Sequence, residues 1–163
     1  VLMINIIKEN FKRALLALIF SILTIGTLSF LSFETTYGLF LAGSFGSSMV
    51  LLFGYPESPF AQPKNVFFGH LITSLVGVLI LQFLSVDQFL QIAIAVGLGI
   101  FVMIIFGVTH PPAGGNPIVV ILGAASYDFL LNPIIFGSIN IIFYAVIINR
   151  FILKKKYPSN WKS

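Results

Sequence analysis

Residues 109–117 read Thr-His-Pro-Pro-Ala-Gly-Gly-Asn-Pro, and this stretch decides the fold. It is a polar break in a chain that is otherwise almost continuously apolar. Proline removes backbone donors and clashes with the preceding helical turn, and glycine holds a helix poorly, so no regular helix is expected to continue through the break. Inside a bilayer, such backbone is tolerated only where protein buries it or where it lines a wet cavity. The break is therefore the first candidate for a functional site.

The composition of the chain indicates an integral membrane protein. Of its 163 residues, 58% are hydrophobic and 9% are charged, whereas soluble domains carry about 25% charged residues. The net charge of +4 does not point to nucleic acid, because the basic residues cluster near the two ends of the sequence. They are Lys8, Lys12, Arg13, Arg150, Lys154, Lys155, Lys156 and Lys162. Under the positive-inside rule we expect a multi-pass protein of the inner (plasma) membrane with both termini in the cytoplasm.

Several classes of function are disfavoured by what the sequence lacks. With no cysteine, disulfides, thiolate metal sites and cysteine nucleophiles are excluded. Two histidines are too few for an ordinary zinc site, and no serine–histidine–acid set is visible. We expect no metal, no cofactor and no enzymatic activity. The first apolar run is too long for a signal-peptide core and predicts a retained span.

Four apolar segments are long enough to cross a bilayer as helices, which takes about 20 residues. They cover residues 14–33, 64–84, 89–106 and 130–148. Two further apolar segments, 37–54 and 113–123, are short or interrupted. In the first, the small-residue patch 43–48 leaves only about two helical turns after it. The tail 151–163 is basic and polar, as expected of a cytoplasmic anchor.

The second half of the chain is weakly similar to the first. Residues 45–54 align with 113–122, and at the same offset 67–69 aligns with 135–137. If each half crosses three times, the halves have opposite orientations, and paired interrupted segments then point to a transporter site at the repeat interface.

We therefore predict one all-α transmembrane domain over residues 1–163, with inverted repeats at about 11–84 and 88–150. In this six-crossing arrangement Glu34, Asp87 and Asp128 lie outside, while Lys64 and the basic ends lie inside. The alternative has four full spans and two re-entrant segments, and it also places both termini in the cytoplasm.

Three motifs resemble the HPP family of small integral membrane proteins. The stretch 109–117 is similar to the family signature, and residues 43–54 and 58–70 resemble two further family segments in the right order. The resemblance covers about residues 38–140. Three positions depart from the family pattern: Ser44 replaces a common proline, Lys64 a common arginine and Gly115 a common alanine.

The resemblance has two implications for this chain. The family is usually described as having four spans, which differs from the six crossings preferred above. Its chloroplast and cyanobacterial members are linked to nitrite transport, so the resemblance implies an anion transporter.

The candidate substrate-binding residues lie mainly in the two interrupted segments. A helix beginning near Gly46 or Asn116 would offer free backbone N–H groups and a positive dipole end to an anion near the midplane. No acidic residue lies inside a predicted span, so nothing there suits a cation. The predicted substrate-binding residues are Gly46, Ser47, Ser48, His70, His110, Gly114, Gly115 and Asn116. The three glycines among them, together with Gly43, are expected to allow close backbone approach.

The two histidines suit proton coupling or anion pairing in a membrane pathway. The alternative for His110 is a hydrogen bond to a carbonyl freed by Pro111 and Pro112. His70 could instead sit at the membrane interface or face another helix. A candidate entrance is formed by Gln62, Lys64 and Asn65, against the alternative that they only anchor a helix start. Pro111 and Pro112 are expected to have an entrance or structural role.

The sequence favours a small-anion transporter, with nitrite as the expected substrate. The expected partners are the anion and the lipid bilayer, and a homo-oligomer joined through Gly97 and Gly99 is left open. The second interpretation is a non-transporting membrane subunit or sensor, although no soluble regulatory domain is visible. A membrane enzyme that uses the two histidines is the least supported.

Overall fold

The computed structural model describes residues 2–159, and these are folded into helices joined by turns. Residues 1 and 160–163, which include the tail residue Lys162, lie outside the described part. The α-helices are α1 Leu2–Phe33, α2 Gly43–Met49, α3 Pro63–Phe83, α4 Gln88–Ile105, α5 Asn116–Leu122 and α6 Phe136–Val146.

Shorter helical turns extend or precede these elements. A π-helical turn, Val50–Gly54, continues α2, and 3-10 turns at Pro59–Ala61 and Pro111–Gly115 precede α3 and α5. The π-helical turns Leu130–Ile135 and Ile147–Ile152 flank α6, which gives a continuous helical stretch over Leu130–Ile152.

The prediction of an all-α membrane protein is confirmed. Four helices are long and apolar enough to cross a membrane, at Met3–Phe33, Pro63–Phe83, Gln88–Ile105 and Leu130–Ile152, and Gly43–Gly54 forms a shorter apolar helix. The first helix begins well before the predicted span at residue 14. The helix includes the polar and basic residues that precede the apolar run. The prediction missed them because an apolar run marks the part of a helix inside the membrane and not the residue where the helix begins.

The first interrupted segment runs antiparallel to α1. The backbone N–H groups of Phe40 and Leu41 donate to Ser32 Oγ near the end of α1, at 2.9 and 3.1 Å. The Arg13 guanidinium lies over the Tyr55 ring at 5.2 Å from its centroid. About 28 Å of α1 separate these two points at ~1.5 Å per residue. The segment from residue 40 to residue 55 therefore crosses most of the bundle.

The second interrupted segment runs alongside α3 in the same direction as that helix. Near the start of α3, Asn65 Nδ2 donates to the Thr109 carbonyl at 2.9 Å. Further along, Ile121 packs against Val76. Since α3 begins at the end of the bundle where Tyr55 lies, the two interrupted segments cross in opposite directions. This geometry matches the six-crossing arrangement; the relation of the halves as a repeat stays a prediction.

The charged residues divide between the two ends of the bundle. At one end, Asn149 Nδ2 donates to the Leu52 carbonyl at 2.9 Å and the Tyr157 hydroxyl donates to the Ala61 carbonyl at 2.8 Å. We call this the basic end, since the flanking basic residues up to Lys156 lie there, together with Glu9, Glu57 and Lys64. The opposite, acidic end carries Glu34, Asp87 and Asp128. Both described ends of the chain thus lie on one side of the bundle.

The tightly packed glycines are not those predicted. A Cβ built on Gly43, Gly46, Gly114 or Gly115 meets no heavy atom within 4 Å, so the expectation of close backbone approach there was wrong. The tight positions lie on the long helices that hold the interrupted segments. Close packing depends on which helix face meets a neighbour, and these four glycines do not lie on such a face.

Three glycines on the long helices set how closely the interrupted segments approach. A Cβ at Gly69 would lie 2.7 Å from the Cβ of His110, and one at Gly77 would lie 3.0 Å from the Cα of Pro117. A Cβ at Gly137 would overlap the Phe45 ring. Of the pair proposed for helix association, Gly97 is open, whereas Gly99 lies against α3 of the same chain.

Candidate functional site

A group of buried polar side chains lies where α2, α3 and the second interrupted segment meet. None of its members is more than 8% exposed. We call this group the polar cluster; its members are Ser44, Ser48, His70, Thr73, Ser74, His110 and Asn116.

Ser48 joins the two histidines. Its Oγ lies 3.1 Å from Nε2 of His70 and 2.8 Å from Nε2 of His110. The two imidazole rings are 4.9 Å apart between centroids, at an interplanar angle of 67°. Because Ser48 comes from α2, His70 from α3 and His110 from the chain after α4, one hydroxyl group ties together three parts of the sequence.

Asn116 closes the opposite side of the cluster. Its Nδ2 lies 3.1 Å from Nδ1 of His70, 3.2 Å from the His70 carbonyl and 3.0 Å from Oγ of Ser74. The Thr73 hydroxyl donates to the Gly69 carbonyl at 2.8 Å and also lies within reach of Asn116. The first residue of α5 is thereby fixed to α3 through its side chain.

His110 connects the cluster to the loop at the basic end. Its Nδ1 lies 2.8 Å from the carbonyl of Phe60. The predicted alternative, a carbonyl freed by Pro111 and Pro112, is not the partner, since Phe60 belongs to a different loop. The Phe45 and His70 rings pack nearly perpendicular to each other, with ring centroids 4.9 Å apart. Apolar packing on one side and hydrogen bonds on the other thus hold the imidazoles in place.

The structure brings together only part of the predicted binding set. Ser48, His70, His110 and Asn116 are buried and bonded to one another. Ser47 and Gly46 are exposed on the other face of α2 and are not part of the cluster. Gly114 and Gly115 are half-buried in the 3-10 turn, and no side chain of the cluster lies within 4 Å of a Cβ built on them.

The predicted role of helix N-termini needs correction in both segments. The first helix starts at Gly43 instead of Gly46, and in it Ser44 and Ser48 are buried while Ser47 is exposed. The second begins at Asn116 as predicted, but the Asn116 N–H already binds the Ala113 carbonyl through the preceding 3-10 turn. Polar side chains, more than free backbone N–H groups, therefore make up the site.

Three members of the cluster were not predicted as site residues. They are Ser44, Thr73 and Ser74. A signal existed, because His70, Thr73 and Ser74 stand at i, i+3 and i+4 on one helix face, and Ser44 stands one turn before Ser48. Polar residues repeated at helical spacing inside an apolar span indicate a buried polar face.

The residues predicted to form an entrance do not come together as one group in the structure. The Gln62 side chain is buried and donates to the carbonyls of Pro56 and Ser58, at 3.0 and 2.8 Å. Asn65 fastens α3 to the Thr109 carbonyl. Lys64 and Pro112 are half-buried and Pro111 is exposed, at the basic end.

The tail packs on the loop that Gln62 holds. Gln62 Oε1 accepts a hydrogen bond from the Ser159 N–H at 2.8 Å. Tyr157 lies beside it, and burial raises the pKa of the Tyr157 phenol above its ordinary value. The tail thereby covers part of the loop next to His110.

A groove of about 700 Å³ lies between α1 and α2, away from the histidines. It is almost wholly apolar and reaches from Ile25 to Asn10, Arg13 and Tyr55 at the basic end. Within the part of the chain that the structure describes, no three His, Asp or Glu side chains come together in a way that could hold a metal ion. The cluster is therefore the main concentration of polar chemistry inside the bundle.

The sequence matches a known protein family over nearly its whole length. Residues 7–158 match the family described as HPP, transmembrane region. The chain belongs to the HPP family. Two proteins of Dictyostelium discoideum, each named only as a transmembrane protein, are 35% and 34% identical to it over 130 and 128 residues. These matches cover 76% and 74% of this chain but 42% and 45% of the relatives, so the chain spans less than half of their length. No solved structure matches the chain.

Proposed function

We propose that this HPP-family membrane protein transports a small anion, with nitrite as the expected substrate. The observation that carries the proposal is the polar cluster, a buried set of uncharged hydrogen-bond donors supplied by both interrupted segments. α2, α4 and α5 contain no ionisable side chain, and α3 contains only Lys64 and His70. Nothing acidic in these helices would repel an anion, and opposed interrupted helices are typical of transporter sites.

The cluster explains how an anion could be held. The hydroxyls of Ser44 and Ser48, the amide of Asn116 and the imidazole N–H groups all donate hydrogen bonds, and an anion accepts them. In the arrangement described, these donors bond to one another. Binding would therefore exchange internal hydrogen bonds for bonds to the anion, and the interrupted segments would separate to admit it.

The basic residues also bear on the orientation of the protein in its membrane. The clustered basic residues support a cytoplasmic basic end, hence both termini inside, in the inner or plasma membrane. The partners would be the anion and the bilayer. A catalytic role is disfavoured because no nucleophile–base–acid arrangement is present among the described cluster residues.

A second candidate is a non-transporting membrane subunit or sensor. It is favoured by one observation, namely that the cluster satisfies its own hydrogen bonds. A network of this kind can act simply as a rigid, specific core. The transporter is preferred because an apolar core would serve a scaffold equally well, without the cost of burying polar groups.

Flux through the purified protein in liposomes tests the proposal. Nitrite, nitrate, formate and chloride are compared in wild-type vesicles and in empty liposomes. We expect saturable nitrite uptake that slows about tenfold in Asn116→Ala, as for the loss of about 1.4 kcal/mol of binding. The matched control, Ser47→Ala, changes a donor that lies outside the cluster. Absence of flux for all four anions would favour the subunit or sensor.

A further inference from the structure

The tautomer of the neutral His110 ring is fixed by its partner at the basic end. Nδ1 of His110 lies 2.8 Å from the Phe60 carbonyl, and a carbonyl oxygen only accepts hydrogen bonds. Nδ1 must therefore carry the proton. In a neutral imidazole the other nitrogen then has a free lone pair, so Nε2 of His110 accepts a hydrogen bond.

The neutral His70 ring is fixed as the opposite tautomer, with its proton on Nε2. The His70 carbonyl orients the Asn116 side chain. Because a carbonyl oxygen only accepts hydrogen bonds, the Asn116 amide nitrogen Nδ2, and not the oxygen Oδ1, must face it, at 3.2 Å. The same Nδ2 lies 3.1 Å from Nδ1 of His70, so this ring nitrogen accepts. In the neutral ring the proton must then sit on Nε2, which points at Ser48.

Ser48 completes a chain of hydrogen bonds with a single direction. Its oxygen accepts from Nε2 of His70 at 3.1 Å, and its hydroxyl donates to Nε2 of His110 at 2.8 Å. The competing acceptor, the Ser44 carbonyl, is more distant at 3.1 Å. Every donor in the sequence Asn116, His70, Ser48, His110, Phe60 therefore points toward the basic end.

The geometry points to a proton relay that joins the polar cluster to the surface at the basic end. This inference rests on the proposed function and adds to it the coupling ion, a proton that moves with the anion. A proton arriving at Nδ1 of His70 displaces the Asn116 N–H. The Nε2 proton passes to Ser48, the Ser48 proton passes to Nε2 of His110, and Nδ1 of His110 releases its proton beside Phe60. One proton enters and one leaves.

The surroundings contain few groups that could substitute for the relay. Of the elements packed around the two rings, α2, α4 and α5 have no ionisable side chain. α3 adds Lys64 at its half-buried first turn, and the loop before it adds Glu57 and Tyr55, both exposed. The tail adds Tyr157, whose hydroxyl donates to the Ala61 carbonyl beside Phe60. The relay ends at the carbonyl of Phe60, a residue that is 41% exposed and lies in the loop at the basic end.

Nitrogen NMR of the histidines tests the relay in the unmodified protein. The chain has two histidines, so protein labelled with ¹⁵N-histidine, after removal of any affinity tag, gives one pair of signals for each ring. We expect two neutral rings of opposite type, one with the proton on Nε2 and one with the proton on Nδ1. Two rings of the same type would break the chain at Ser48 and overturn the relay.

Transport by Ser48→Ala tests the function of the relay. Wild-type vesicles should acidify inside as nitrite enters down a proton gradient. In the variant we expect net uptake to fall about tenfold. Nitrite exchange needs no net proton movement and loses only the hydrogen bond from Ser48 to the anion, so it should fall less than net uptake, and equal falls would overturn the relay. Ser48→Thr keeps the hydroxyl and should restore net uptake. Nitrite uptake with unchanged acidification in Ser48→Ala would overturn the relay and leave the transporter standing.

The relay and the proposed function can fail separately. If wild-type vesicles move none of the four anions, the transporter proposal fails. Proton uptake driven by a valinomycin-induced potential is then measured in the same vesicles. Uptake in the wild type above that of Ser48→Ala supports the relay, and equal uptake overturns it.

Discussion

The two interrupted segments contribute to one polar cluster but pack in different ways. The second segment lies tightly on α3 and α4, where Gly77 and Gly99 bring Pro117 into close contact. The first is held closely by α6, where Phe45 fits over Gly137, and its end contacts α1, where the Phe53 ring lies 5.9 Å from the Phe20 ring. Along the middle of α1 it leaves the apolar groove of about 700 Å³.

This difference suggests which segment moves. A segment packed on two helices gives up many contacts when it shifts, whereas one beside an open groove gives up fewer. The hydrogen bonds of Ser48 are the main polar link between the first segment and the rest of the cluster. We therefore expect the first segment to open and the second to remain in place during transport.

The largest effect is expected from filling the contact under the first segment. In Gly137→Ala the new methyl group meets the Phe45 ring and the Phe40 carbonyl, so backbone must shift. We expect a loss of about 3 kcal/mol in the free energy of unfolding, measured by thermal unfolding in detergent. The control is Gly97→Ala, where a Cβ has open space. Equal melting temperatures for the two variants would show that Gly137 does not seat the segment.

A smaller loss of stability is expected when a methyl group is added at Gly77, where α3 contacts the second segment. In Gly77→Ala the methyl group lies 3.0 Å from the Cα of Pro117 and 3.1 Å from the Cβ of Val120, so the neighbours must give by a few tenths of an ångström. We expect a loss of about 1–2 kcal/mol in the same unfolding assay. A stabilised Gly77→Ala protein would contradict tight packing of α5 on α3.

Much of the fold could be predicted from the sequence, because apolar length marks membrane spans and Pro/Gly-rich polar stretches mark their interruptions. The same reasoning named four residues that the structure brings together in the polar cluster: His70, His110, Ser48 and Asn116. It could not choose between Ser47 and Ser48, since adjacent residues point about 100° apart on a helix and the choice depends on how the helix is rotated against its neighbours. It also misplaced the tight glycines, because only the tertiary packing decides which helix faces meet.

The smallest effect is expected at the open glycines. Gly46 faces the groove and Gly115 lies in the 3-10 turn, and a Cβ on either meets nothing within 4 Å. Gly46→Ala should stabilise the protein by up to about 1 kcal/mol, because alanine loses less conformational freedom in a helix. Gly115→Ala should leave the melting temperature nearly unchanged. A marked loss of stability in either variant would mean that these segments pack more tightly than described.

The central claim is that transport depends on the inward face of the first interrupted segment, where Ser48 meets the histidines. Net nitrite uptake by liposomes containing Ser47→Ala or Ser48→Ala tests it most directly, because the two variants remove the same group from neighbouring residues, one exposed and one buried. We predict wild-type uptake in Ser47→Ala and uptake slowed about tenfold in Ser48→Ala, which loses both a donor to the anion and the central link of the relay. Equal uptake by the two variants would contradict the account.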